Sequence, residues 1–225
     1  MQTVQENGSS TTASKEHVLY CFDILVGHYN GDDSPQPLFD DAFCPLFVTW
    51  NKASRQGDIR LRGCIGTLEP RQLHTALRDY ALTSALRDRR FSPVTLKELA
   101  SLHCTVSLLH NFTEAASWQD WQAGRHGLIL DFNDPETGAH RSATFLPEVA
   151  KHEGWSQQQT IDALIRKAGF NGLVTRELRE AVSLTRYEST AHSLTYAEYE
   201  THKASLSAAA APLPVQGEGL VVVQA

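Results

Sequence analysis

Apolar and polar positions follow two rhythms along this chain, and the switches between them mark its elements. Val18, Phe22, Leu25, Val26 and Tyr29 recur at helical spacing. The spacing predicts a core-facing helix capped by Ser14, with Glu16 in its first turn and an end near Gly31. Asp32 to Asp41 holds two prolines and four aspartates and reads as an exposed loop. Two strands follow, over 45–52 and 58–68, joined by a turn at 55–58; Ile59 and Leu61 alternate with Arg60 and Arg62. Leu73, Ala76, Leu77, Tyr80 and Ala81 return to helical spacing up to about Asp88, setting a helix behind the second strand.

The rhythm changes again downstream. Thr95 with Glu98 forms a small capping box, and Leu102, Cys104, Val106 and Leu108 alternate as a strand. Trp118 and Trp121 sit on a short helix-like piece, and strands over 128–132 and 141–145 flank a hairpin-like turn at 133–138. Pro147 suits a first helical position, and Ser156 with Gln159 caps a helix through Ile161, Leu164, Ile165 and Ala168 that Gly169 closes. Val182, Leu184 and Arg186 alternate in a last strand before a short segment over 196–202. Interspersed short strands and helices predict an α+β fold with a mixed or antiparallel sheet. The polar stretch 1–14 is expected to be a disordered arm, residues 15–203 the domain, and 204–225 a disordered low-complexity tail.

Composition narrows the classes. The chain has 225 residues, 41% of them apolar, enough to close a sizeable core. A formal charge of -6 gives no net pull towards nucleic acid or anionic lipid. No apolar run reaches membrane-spanning length and Met1 to Lys15 has no apolar signal core, which predicts a soluble intracellular protein, cytoplasmic or nuclear. The four cysteines, at 21, 44, 64 and 104, have no C-x-x-C pairing or zinc-finger histidines. No metal site is expected. Phosphate-loop, dinucleotide and nucleophile-elbow motifs are absent, and no cofactor is named by any motif.

One stretch concentrates chemistry. In Leu61-Arg62-Gly63-Cys64-Ile65-Gly66 a thiol sits between two glycines, where the chain can turn sharply and another group can approach. Arg62, or a helix N-terminus facing Cys64, would favour thiolate. His126, in a glycine-flanked turn, is the candidate base, and Glu69 could orient it or carry a proton. Arg62 and Arg90 could clamp a carboxylate or phosphate, Thr144 could line the pocket, and Gly63 and Gly66 could admit a ligand. Each has a structural reading too: Cys64 as a small turn residue, His126 as a backbone cap, the arginines and Glu69 as solvated charges, Thr144 as packing.

The same hexapeptide resembles the signature of the AMME-region protein family, the AMMECR-type domain. Thr83 to Val94, Arg125 to Leu128, Ala143 to Ala150 and Leu184 to Ser189 are similar to later family blocks, in the family's order. The resemblance spans roughly 15–203. It implies one domain of two intimate lobes, a larger sheet with helices and a smaller lobe, with a pocket of unestablished activity. It also implies a Memo-like or radical-SAM protein as a pathway partner. Two functions follow as expectations: a Cys64-centred enzyme doing thiol-dependent transfer or modification on a small or peptide-like substrate, or a non-catalytic adaptor holding a peptide or small ligand in the same cleft. Nucleic-acid binding would demand strong salt dependence and is disfavoured by the acidic charge.

Overall fold

The structure, a computed structural model, describes residues 11–32, 35–54 and 56–209. Ser14 starts helix α1 (Lys15–Asn30) with a reciprocal cap in which His17, rather than an acid, accepts the Ser14 N–H at 2.9 Å. Val18, Phe22 and Leu25 of the expected stripe are buried and Val26 and Tyr29 partly so; Leu19, Tyr20, Cys21 and Ile24 are buried too, so α1 is wrapped on several sides by core. Gly31, at φ 72°, supplies the left-handed residue that ends it.

Strands β1 (Phe43–Ala53) and β2 (Ile59–Gln72) pair antiparallel, and helix α2 (Leu73–Leu86) follows β2 directly. The Thr95 and Glu98 box caps a 3-10 helix, Leu96–Ser101, which runs into β3 (Leu102–Glu114). Then come β4 (Gly127–Asn133), β5 (His140–Phe145), α3 (Pro147–Glu153) and α4 (Gln157–Lys167). The chain closes with α5 (Arg176–Ala181), β6 (Ser183–Thr195) and α6 (Tyr196–Ala209). The six strands form one curled sheet in the order β2-β1-β3-β6-β4-β5, and every pair is antiparallel. The α+β expectation holds, its sheet wholly antiparallel.

Alternation sets the layers. Leu46, Val48 and Trp50 of β1 and Leu102, Cys104, Val106 and Leu108 of β3 face α1 and α2 in one core. Trp50 is fully buried, and its indole N–H donates to the Ala81 carbonyl at 3.0 Å, the partner a buried indole needs. A second core joins Leu128, Leu130 and Phe132 of β4 and Leu184 of β6 to Ile161, Leu164 and Ile165 of α4. These are the two lobes. They share β6, whose first half pairs with β4 and whose longer part pairs with β3.

Three local expectations change and one helix is added. The stretch carrying Trp118 and Trp121 is turns without a helix, organised by the Trp121 indole donating to the Trp118 carbonyl at 3.0 Å. Helix α5 had no periodic signal of its own in six residues. Helix α6 continues past Ala204 to Ala209, alanine being the best helix former, and the remainder of the expected tail lies outside the described residues. Ala13, placed in the expected arm, is buried and donates its N–H to Thr190 Oγ1 at 2.8 Å; residues 1–10 lie outside the described residues.

Candidate functional site

Cys64 lies on edge strand β2 opposite Thr49 of β1, on the sheet face away from α1 and α2. The Thr49 hydroxyl donates to its sulfur at 3.2 Å. Its backbone N–H donates to Asp88 Oδ2 and its carbonyl accepts from Arg90 Nη2, both at 3.0 Å. Arg90 also grips Asp88 through Nε at 3.0 Å and Nη2 at 2.7 Å. This hydrogen-bonded guanidinium holds the Asp88 carboxyl down at about 2.

The opposite wall comes from the smaller lobe. Lys167, at the end of α4, donates to the Thr144 carbonyl at 2.8 Å and lies over the Phe145 ring. Tyr187 donates to the Phe145 carbonyl at 3.0 Å, so the Thr144 hydroxyl, 3.1 Å away, donates to Tyr187. A Cβ on Gly127 would lie 2.3 Å from that ring, so glycine makes the space the tyrosine fills. Glu148 and Lys167 are exposed on this lobe, close enough for their charges to reach the Cys64 thiol.

Electrostatics ties the two walls together. Burial pushes the Cys64 thiol up; the Thr49 hydrogen bond and the charges of Arg90 and Lys167 oppose that rise, and Glu148 adds to it. Loss of water pushes Glu148 up and Lys167 down, the nearby Arg90 lowering Lys167 further. Tyr187 is raised by burial, then by the charges of Glu148 and Cys64. Among the described residues no cluster of three or more His, Cys, Asp or Glu is placed to hold a metal.

The predicted residues separate. Arg90 hydrogen-bonds the Cys64 carbonyl, whereas Thr144 is held by Tyr187 and Lys167 in the smaller lobe. Gly63 and Gly66 flank the thiol as packing glycines: a Cβ would lie 1.9 Å from the Ser84 carbonyl at one and 2.1 Å from that of Leu46 at the other. Arg62 turns away to Glu98 at 3.1 Å and to the carbonyls of Ser92 and Pro93. The cause is a bulge, where the pairing with β1 skips from Gly63 to Leu61. Glu69 is exposed and pairs with Arg71. The structure does not pair His126 with Cys64. Its Nδ1 accepts the Gln122 N–H at 3.0 Å and its Nε2 lies 3.9 Å from Glu188; burial and the charges of Arg186 and Arg125 lower its pKa. Finally, the end of α2 near the thiol is the C-terminal one, through Ser84 and Asp88, so its dipole opposes thiolate.

Sequence reading missed Thr49, Asp88, Glu148, Lys167 and Tyr187. A signal existed for three of them, since Asp88, Glu148 and Tyr187 each sit inside a stretch that carries the family resemblance. Two hollows lie elsewhere: a groove of about 770 Å³ along α2 holds no thiol, histidine or amine. One of about 400 Å³ at the β1–β2 turn is floored by the Arg62 and Glu98 pair.

A two-lobed α+β domain built on one wholly antiparallel six-stranded sheet is the class this geometry defines. The AMMECR1 family pattern matches residues 18–192, and the chain belongs to that family. An uncharacterised protein of Arabidopsis thaliana is 55% identical over 188 residues, covering 84% of this chain and 88% of the relative. One from Schizosaccharomyces pombe is 38% identical over 189 residues, covering 82% and 94%. Among solved structures, an uncharacterised protein from Pyrococcus horikoshii superposes with a TM-score of 0.62 at 25% identity, covering 79% of this chain and 89% of that one. No helix among the described residues is long and apolar enough to cross a membrane.

Proposed function

We propose that the cleft is a catalytic site for thiol-dependent transfer or modification of a small or peptide-like substrate, with Cys64 as nucleophile. The observation that supports this reading is the thiol held between Thr49 and Arg90, with Glu148, pushed up by loss of water, and Lys167, pushed down, within charge range of it. Groups moved towards mid-range pH can exchange protons during a reaction. In this reading sulfur bonds to an electrophilic carbon of the substrate while its proton passes to the Glu148 carboxylate. The leaving group departs with its bonding electrons and takes that proton back. Arg90 and Lys167 offset the charge that develops on sulfur, and Glu148 and Lys167 take the roles first expected of Glu69 and His126. At rest the thiol is neutral, because burial outweighs its cations, so activation belongs to the substrate-bound state.

That same neutral thiol, with Thr49 donating to it, favours a second reading, an adaptor in which Cys64 is packing. p-Nitrophenyl acetate at pH 8.5, with adducts located by mass spectrometry, separates the two. The enzyme reading expects acylation of Cys64 ahead of the buried Cys21, Cys44 and Cys104. It also expects loss of that adduct in Cys64→Ser and slowing of about tenfold or more in Glu148→Gln. Equal labelling of all four cysteines, or an unslowed Glu148→Gln, sinks it and leaves the adaptor.

A further inference from the structure

The edge of β2 is covered up to Cys64 and bare immediately beyond it. Upstream, Gly63 packs on the Ser84 carbonyl, and Arg62 donates to the Ser92 and Pro93 carbonyls at 2.6 and 3.1 Å. At Cys64 itself Asp88 accepts the N–H and Arg90 donates to the carbonyl, the two bonds a neighbouring strand would make. These groups point away from β1, so Cys64 and Thr49 form a non-hydrogen-bonded pair. The register continues unbroken to Gly66 opposite Phe47, two residues on, so the Gly66 N–H and carbonyl point outward too. Among the described residues no side chain or loop hydrogen-bonds to them, and Gly66 has no side chain to shield them.

Bare edges invite strand pairing, and proteins cover them. Here the cover stops at the thiol. A strand added at Gly66 would run beside Cys64 and meet the Asp88–Arg90 pair at its next outward position, which the pair already fills. The incoming chain must therefore end there. The cation at that stop is available: Arg90 is half exposed, with Nη1 making no hydrogen bond among the described residues. Across the cleft, Lys167 makes no ion pair among the described residues. Asp88, by contrast, is 4% exposed and fully engaged, so it offers nothing to an amino terminus.

We propose that the β2 edge binds the carboxyl-terminal segment of an extended peptide as an added strand, hydrogen-bonded to Gly66, with its terminal carboxylate between Arg90 and Lys167 beside Cys64. Main-chain bonds supply affinity and the carboxylate sets polarity. The inference rests on the cleft reading above and names its substrate class.

Backbone amide exchange by NMR tests it, using a pool of N-acetylated pentapeptides with free carboxyl termini and the matching amidated pool. In the free protein the Gly66 amide exchanges fast beside a protected Ile65. Adding the free-acid pool slows Gly66 exchange about tenfold at 90% occupancy. The amidated pool, and Lys167→Met with the free-acid pool, bind about tenfold or more weakly, while Lys167→Arg restores binding. A Gly66 amide already protected in the free protein, no slowing with either pool, or equal slowing by both overturns the proposal. Cys64→Ser separates the two claims: protection of Gly66 without any acylation leaves the docking edge standing and removes the thiol chemistry alone.

Discussion

Replacing Asp88 with asparagine removes the carboxylate that fastens the edge strand to the segment after α2. The folded carboxyl is held at about 2 against 3.8 without a partner. With 4% of its side chain exposed, solvent does little to dilute that displacement, which is worth about 2 kcal/mol at neutral pH. Because the folded value is depressed, this stability is present above pH 4 and fades as pH falls through the folded value; about half is gone by pH 3. Asparagine can still accept the Cys64 N–H but cannot answer both nitrogens of Arg90. Urea unfolding of Asp88→Asn and wild type at pH 7 should therefore differ by about 2 kcal/mol, and at pH 3 by about 1. A difference under about 0.5 kcal/mol at pH 7, or a gap that widens on acidification, would refute the reasoning.

Gly63→Ala should destabilise by about 1–3 kcal/mol in the same assay, because its Cβ would overlap the Ser84 carbonyl, which α2 holds in place. A neutral result would mean that α2 and β2 separate easily. Alkylation of Cys64 by iodoacetamide should rise with pH along a curve centred above the ordinary thiol value of about 8.5, unmoved by His126→Ala and shifted further upward by Lys167→Met. A curve that moves in His126→Ala would return the histidine to the site.

The elements were legible because most obey a single period. Ser14, Thr95 and Ser156 announce their helices, and Leu102 to Leu108 its strand. The bulge at Arg62 was not legible. Alternation alone placed Ile59 and Leu61 inward, whereas they are 57% and 41% exposed and the Arg62 side chain is 11% exposed against Glu98. One inserted residue reverses which neighbours share a face, and only the pairing with β1 reveals it. The cleft failed for a related reason: Thr49, Asp88, Glu148, Lys167 and Tyr187 meet through strand register and sheet curl, neither of which has a local period. Cys64 stood out because glycines mark close approach, yet the helpers expected for it, His126 and Glu69, bond elsewhere, to Gln122 and Arg71.

Strand β6 runs through both lobes as one uninterrupted length of backbone. It behaves mechanically as a spine: opening the halves like a clamshell would shear hydrogen bonds to β3 or β4. The spacing of the two lobes is therefore set when the chain folds, and what adjusts beside Cys64 is side-chain rotation, chiefly of the long arms of Lys167 and Arg90. If the proposed cleft binds a ligand, a spine of this kind makes it select by the thickness of what it admits, and changing that selectivity calls for reshaping those arms.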